Sequence, residues 1–255
     1  LESFYDVLTS IEKIGQVVDK DLESQEGEKP IFKNGLTVEL DDVSYGVENR
    51  EKHILKNISL TLKPNSRILV MGESGAGKST LLRLLSGVIQ PTAGNVYVNN
   101  LSLNSLHLNH YRSQLGLSLS DETPFEGTLR DNLVFDNKEV SDDVIYETLN
   151  IVGLNQFIKE QPNGLETILH PEGKQMSYTI SKKIILARAI VKQPKMMILE
   201  DPLDQFNLEE TVRIIRYLTN PDRPWALIVV SSKKSWRTDC SQTIVLEKGK
   251  IKSIK

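Results

Sequence analysis

From residue 36 onward, short apolar runs alternate with longer amphipathic ones, and the two periods separate strands from helices. Leu36–Leu40 alternates, and so does Ile58–Leu62, where Ile58, Leu60 and Leu62 share one face and Ser59 and Thr61 the other. Ile68–Met71 is continuously apolar, as expected of a strand buried on both faces. Leu115–Leu119, Met196–Glu200, Leu227–Ser231 and Thr243–Leu246 are further predicted strands. Helical spacing covers Lys78–Val88, with Leu81, Leu82, Leu84 and Leu85 towards the core. It also covers Asp142–Ile151 and Ser181–Gln193, the latter with Ile184, Ala187 and Val191 on one face. Strands alternating with helices predict a mostly parallel α/β sheet. Residues 120–190, richer in helix and turn, predict a subdomain.

Ahead of this region, Leu1, Phe4, Leu8, Ile11, Ile14 and Val18 recur at spacings of three and four and predict one amphipathic helix over 1–20. Asp19 to Pro30 is acidic, polar and closed by proline, so it reads as a linker. The helix must pack on something, either this domain or one that precedes it. The chain opens on Leu1 instead of Met and is expected to be a piece of something longer.

Composition narrows the class. The 255 residues suit one large domain or two modest ones, and 39% hydrophobic with 25% charged residues is an ordinary globular balance. A net charge of −3 provides no bulk attraction to nucleic acid. Apolar runs such as Trp225–Val230 are too short to cross a bilayer, so any membrane link comes through another segment or chain. No signal-peptide pattern is present. The single cysteine, Cys240, excludes an internal disulfide and fits a reducing compartment.

The chemistry concentrates in Gly72-Glu73-Ser74-Gly75-Ala76-Gly77-Lys78-Ser79-Thr80, which contains G-x-x-x-x-G-K-S between the apolar strand and the leucine-rich helix. Glycines let the backbone close around an anion, and the loop's N–H groups with the helix N-terminus point at phosphates. Lys78 is expected to reach the β- and γ-phosphates of ATP, and the Ser79 hydroxyl to ligate Mg²⁺. Met196-Met197-Ile198-Leu199-Glu200-Asp201 is an apolar strand ending in acid, placing Glu200 as a second group for the Mg²⁺. His53, His107, His110 and His170 read as structural or surface residues.

In this order the motifs resemble the nucleotide-binding domains of ABC transporters, exporter type, over residues 36–252. Asp42-Val43-Ser44-Tyr45 resembles the family's first strand, and Ile54–Leu60 the strand leading to the P-loop. Pro91-Thr92-Ala93-Gly94-Asn95-Val96 resembles its P-x-x-G-x-I hairpin, and Phe125–Leu133 the exporter segment F-x-G-T-I-x-x-N-I. Ile185–Ala189 resembles the helix after the signature, and Met197–Pro202 the Walker B strand. The resemblance implies a P-loop NTPase core with an antiparallel β lobe and a helical subdomain at about 120–190. It implies ATP and Mg²⁺ as ligands, a second such domain as partner across two ATP molecules, and a membrane domain preceding Leu1. Residues 1–30 would then trail from that membrane domain and 31–255 form the ATP-binding domain, at the cytoplasmic face of the cell membrane.

Departures from the family pattern are numerous. The adenine-stacking position falls on Val47, which has no aromatic face, with Tyr45 the nearest aromatic. The Q-loop glutamine falls on Ser120, too short for the same reach. The L-S-G-G-Q signature reads Met176-Ser177-Tyr178-Thr179-Ile180, keeping Ser177 for a γ-phosphate across the dimer while Tyr178 and Thr179 obstruct close backbone approach. The acidic pair is reversed to Glu200 then Asp201, which leaves Asp201, one methylene short, as the candidate base beside Lys78. The switch histidine falls on Ser232. These changes predict a site that binds ATP–Mg²⁺ and turns it over slowly or not at all. The readings open at this point are a transport ATPase domain, a non-enzymatic nucleotide module that sets dimerisation, and a soluble P-loop kinase or other NTPase.

Overall fold

The computed structural model describes residues 23–47, 53–135, 137, 139–170 and 176–255; the predicted helix over 1–20 lies outside them. In chain order the elements are β1 (Val38–Gly46), β2 (His53–Leu62), β3 (Arg67–Gly72), α1 (Lys78–Leu85), β4 (Ala93–Val98), β5 (Leu101–Ser102), α2 (Leu108–Ser113) and β6 (Leu115–Ser118). They continue with β7 (Gly127–Thr128), α3 (Leu129–Val134), α4 (Asp142–Val152), α5 (Asn155–Lys159), β8 (Ile168–Leu169) and α6 (Tyr178–Val191). The last are β9 (Met196–Glu200), α7 (Leu208–Thr219), β10 (Ala226–Val230), β11 (Gln242–Glu247) and β12 (Lys250–Ile254).

The central sheet runs β12-β11-β3-β10-β9-β6, parallel throughout except for β12 at the edge. A second, antiparallel sheet runs β2-β1-β4-β5. The continuous apolar runs sit in the middle of the first sheet because both of its faces are covered. Successive residues of each strand enter different cores. Ile68 and Val70, Met196 and Ile198, and Ile228 and Val230 join the cluster shared with α1 and the antiparallel sheet. Leu69, Met197, Leu199, Leu227 and Val229 join the cluster shared with α3, α4, α6 and α7. A one-residue slip of any of these strands would therefore exchange its two sets of contacts. The alternation predicted for Ile58–Leu62 holds, with Ile58, Leu60 and Leu62 buried and Ser59 and Thr61 exposed.

Several boundaries differ from expectation for local reasons. α1 stops at Leu85, short of Val88, because Ser86 ends it and Gly87 turns left-handed at φ 67. α6 begins at Tyr178, ahead of Ser181, because the Ser177 side chain caps it by accepting the Ile180 N–H at 3.3 Å. α7 lies where no element was predicted; Asn207 caps it, accepting the Glu210 N–H at 2.8 Å. The helices around 120–190 are bound to one another by polar as well as apolar contacts. Arg188 of α6 donates to the Asn132 carbonyl at 2.8 Å, and Lys183 pairs with Glu210 of α7 at 2.5 Å. Upstream, the acidic stretch is strapped to the domain: the Glu28 amide bonds Ser105 O at 2.8 Å, and Arg112 pairs with Glu23 at 2.6 Å. His110 bonds the Pro30 carbonyl and His107 caps α2, both structural roles.

Candidate functional site

The candidate side chains issue from the carboxyl ends of four neighbouring parallel strands, β3, β10, β9 and β6. This is the crevice in which open α/β sheets hold ligands. β3 runs through Gly72 into the glycine-rich loop and straight on to α1 at Lys78. β9 ends in Glu200 with Asp201 next, β10 hands on Ser231 and Ser232, and β6 ends two residues before Ser120.

The loop needs left-handed backbone at Gly75, φ 76, and at Gly77, φ 98. A Cβ on Gly77 would stand 2.6 Å from Leu55 Cδ2, whereas one on Gly75 would meet no atom within 4 Å. Gly77 is thus required by the protein's own packing, while Gly75 faces open space that a Cβ would fill. Ala76 rivets the loop: its amide bonds Glu73 O at 3.2 Å, and its carbonyl takes the Gly249 N–H at 3.2 Å from the β11–β12 turn. No side chain caps the start of α1, and no acid lies in its first turn, which includes Thr80. Its first amides and the positive end of its dipole are left for an anion. Lys78 Nζ crosses the loop to donate to Gly72 O at 2.9 Å and Glu73 O at 2.8 Å. Among the described residues it pairs with no carboxylate.

Ser79 and Glu200 come together as expected, and Ser120 joins them. The Ser79 hydroxyl donates to Glu200 Oε1. The Ser120 amide and hydroxyl donate to Glu200 Oε2 at 3.2 and 2.9 Å. Ser120, expected to be too short for a glutamine's role, therefore reaches the acid directly, because glutamate is one methylene longer than aspartate. Behind it, the buried Lys182 donates from Nζ to Ser120 O at 2.8 Å. Burial pushes the Lys182 ammonium pKa down, and the carboxylates of Glu122 and Glu200 oppose that shift. The donor set at this point is one hydroxyl and one carboxylate, hard oxygens beside a phosphate-type loop. That fits Mg²⁺, which is held by one or two protein oxygens together with phosphates and water.

Asp201 has a left-handed backbone, φ 40, and its amide donates to Val230 O at 2.8 Å. Burial holds its carboxyl above the usual range, opposed by hydrogen bonds from the Ser231 hydroxyl and the Ser232 amide. With Glu73, Ser74, Lys78 and Ser232 it lines a cleft of about 590 Å³. Ser177 does not line this cleft; its hydroxyl caps α6, and Tyr178 beside it is exposed. Val47 is exposed just beyond β1, while the Tyr45 ring packs against the core. Two contributors lie outside the sequence motifs. Lys182 meets Ser120 across 62 residues, and Arg237 reaches the cleft from the turn after β10. No local pattern announces either.

A family profile described as "ABC transporter" matches residues 55–204. An ABC multidrug transporter from Trichophyton rubrum is 29% identical over 91% of this chain and 18% of its own length. An ATP-dependent lipid A-core flippase from Coxiella burnetii is 26% identical over 96% of this chain and 42% of its own length. The chain thus spans less than half the length of these curated relatives. A solved bacterial Atm1-family ABC exporter with ATP bound superposes with TM-score 0.84 at 21% identity, over 97% of this chain and 43% of that one. Among the described residues no helix is long and apolar enough to cross a membrane.

Proposed function

The chain belongs to the ABC transporter family, and from that membership we propose that it is the ATP-binding domain of an exporter whose own site grips ATP–Mg²⁺ firmly and turns it over slowly. The observation that carries the reading is the convergence of the glycine loop, Lys78, Ser79 and Glu200 at the carboxyl ends of β3 and β9, which flank β10 in the sheet. The loop amides and Lys78 would hold the phosphates, and Ser79 with Glu200 the metal. Bound Mg²⁺ would neutralise phosphate charge and orient the terminal phosphate.

Slow turnover is supported by the groups around that grip. Asp201 stands where the resemblance expects a longer base, and loss of a well-placed base costs roughly 10²–10⁴-fold. Tyr178 and Thr179 occupy the positions of the signature glycines. Ser177 accepts the Ile180 N–H as a helix cap, which leaves its O–H free to donate, so the role the resemblance gives it towards a partner's γ-phosphate is kept. On this reading residues 1–30 lead from a membrane domain, the partner is a second ATP-binding domain, and the site works at the cytoplasmic face of the membrane.

Titration with ATP–Mg²⁺ tests the grip: the protein binds, and Lys78→Ala weakens binding at least tenfold, since each charge-assisted hydrogen bond contributes ~1.5–3 kcal/mol. Unchanged affinity in that variant would remove the phosphate site. Steady-state turnover tests the second half, and rates of roughly 1–10³ s⁻¹, normal for enzymes, would refute it. A second reading, a silent module in which ATP only controls dimerisation, draws on the closure of Glu200 onto Ser79 and Ser120. Complete absence of turnover together with ATP-dependent dimerisation would favour it.

A further inference from the structure

The structure assigns Arg237 to the cleft as a second cation, after Lys78, for the terminal phosphate of a nucleoside triphosphate. This rests on the proposed ATP site. Arg237 lines the same cleft as Lys78, Ser74 and Asp201. Among the described residues its guanidinium hydrogen-bonds the Met71 sulfur alone, from Nε at 3.3 Å and Nη2 at 3.2 Å. A thioether is a weak acceptor, so nearly all of the donor capacity of the fork remains unspent. Among the described residues it forms no ion pair.

The backbone that carries the fork is held in place. It sits in the 3-10 turn Lys234–Thr238, whose Trp236 is fully buried in the core under α7. The Trp236 carbonyl takes the Cys240 N–H at 3.0 Å, closing the turn behind Arg237. A backbone anchored at the neighbouring residue lets the exposed side chain reach the loop without ordering the whole segment. Ser232, where the family pattern puts its histidine, carries a short neutral hydroxyl into the cleft. Arg237, five residues later, carries a permanent charge whose planar fork matches two phosphate oxygens at once. Arg237 shares the cleft with Asp201 and Ser232, the positions the family pattern gives to the water-polarising acid and the switch histidine, so it stands on the side where a terminal phosphate would lie. Arg237 therefore sets preference for triphosphate over diphosphate.

The test is a set of calorimetric titrations with ATP–Mg²⁺ and ADP–Mg²⁺ on wild type, Arg237→Met, Arg237→Lys and Lys78→Ala. Arg237→Met is expected to weaken ATP about tenfold, equivalent to ~1.4 kcal/mol, and ADP less than about twofold. Arg237→Lys should recover part of the loss, since charge returns without the fork. Lys78→Ala should weaken both nucleotides. If Lys78→Ala loses both while Arg237→Met keeps the wild-type ATP-to-ADP ratio, the assignment of Arg237 is wrong and the ATP site stands. If wild type binds neither nucleotide, or Lys78→Ala changes neither, the underlying site falls and the assignment with it.

Discussion

Replacing Gly75 and Gly77 one at a time by alanine separates what the loop does for the fold from what it does for a ligand. Both residues are left-handed, at φ 76 and 98, so each substitution carries a backbone cost of ~1–2 kcal/mol. Gly77→Ala adds a collision, since its Cβ would lie 2.6 Å from Leu55 Cδ2 and 3.2 Å from Ile54 O. Overpacking of that kind costs a further ~1–3 kcal/mol. Gly75→Ala adds nothing of the sort, having no atom within 4 Å of the new carbon. For a chain of this size 1 kcal/mol moves the melting temperature by roughly 2–4 °C. Gly75→Ala should therefore lower it by roughly 2–8 °C and Gly77→Ala by roughly 4–20 °C, the order mattering more than the values. Nucleotide binding should rank the other way relative to stability. The methyl on Gly75 fills the space a phosphate would take and should weaken ATP at least about tenfold in a folded protein, the value of one charge-assisted hydrogen bond. Melting by circular dichroism and ATP titration on the same samples give both orders. A stable Gly75→Ala protein that binds ATP like wild type would show that the open space beside Gly75 is not a phosphate cradle.

Burial pushes the Cys240 thiol up to about 12. At pH 8 its thiolate fraction should be roughly 10³-fold below that of a free cysteine, so labelling by a thiol reagent should be slowed accordingly in native protein and restored in denaturant; native labelling at the free-thiol rate would contradict its packing. Asp201 has its carboxyl held above the ordinary range by burial, so the folded state binds that proton more tightly than the unfolded one. Its contribution is fully present below about pH 4 and is lost as pH rises through the folded value. Melting temperatures of wild type and Asp201→Asn followed from pH 4 to 7 should show wild type losing ground as pH increases, and a constant or opposite gap would overturn the assignment of burial as the dominant cause.

What could be read from the sequence followed local physics. β9 coincides with the predicted Met196–Glu200, because five apolar or acidic residues with no turn-former leave no other boundary. The strand-loop-helix around Lys78 was legible for the same reason. α6 starts ahead of the predicted Ser181 because Ser177, a signature position by resemblance, is also an N-cap. Asn207 with Glu210 three residues later is a capping pattern too, and it opens α7. The contacts that complete the site could not be read this way. Ser120 and Glu200 lie 80 residues apart and meet only because β6 and β9 are neighbours in the sheet. Sheet order is set by the packing of both cores, and no single segment encodes it.

That adjacency bears on how the departures from the family pattern should be understood. Serine at 120 is shorter than the expected glutamine, and glutamate at 200 is longer than the expected aspartate. Reach lost on one side is regained on the other, so that both Glu200 oxygens are hydrogen-bonded. Lys182 then ties the Ser120 carbonyl from behind. A site decaying without constraint would leave buried polar atoms stranded, each at ~1–3 kcal/mol. The stranded buried atoms among the described residues are Arg112 Nε, Thr211 Oγ1, Arg223 Nε and Trp236 Nε1, none of them in this site. Ser79, Ser120, Lys182 and Glu200 therefore form a satisfied set in which each substitution suits its neighbours. On the proposed reading such a set would keep the surface for phosphate and metal, while Asp201, buried and one methylene shorter than the base the resemblance expects, would be poorly placed to drive water. On the proposed reading, binding and turnover have come apart at this site because different strand ends supply them: β3 and β6 with β9 for the grip, and the residues just past β9 and β10 for the chemistry.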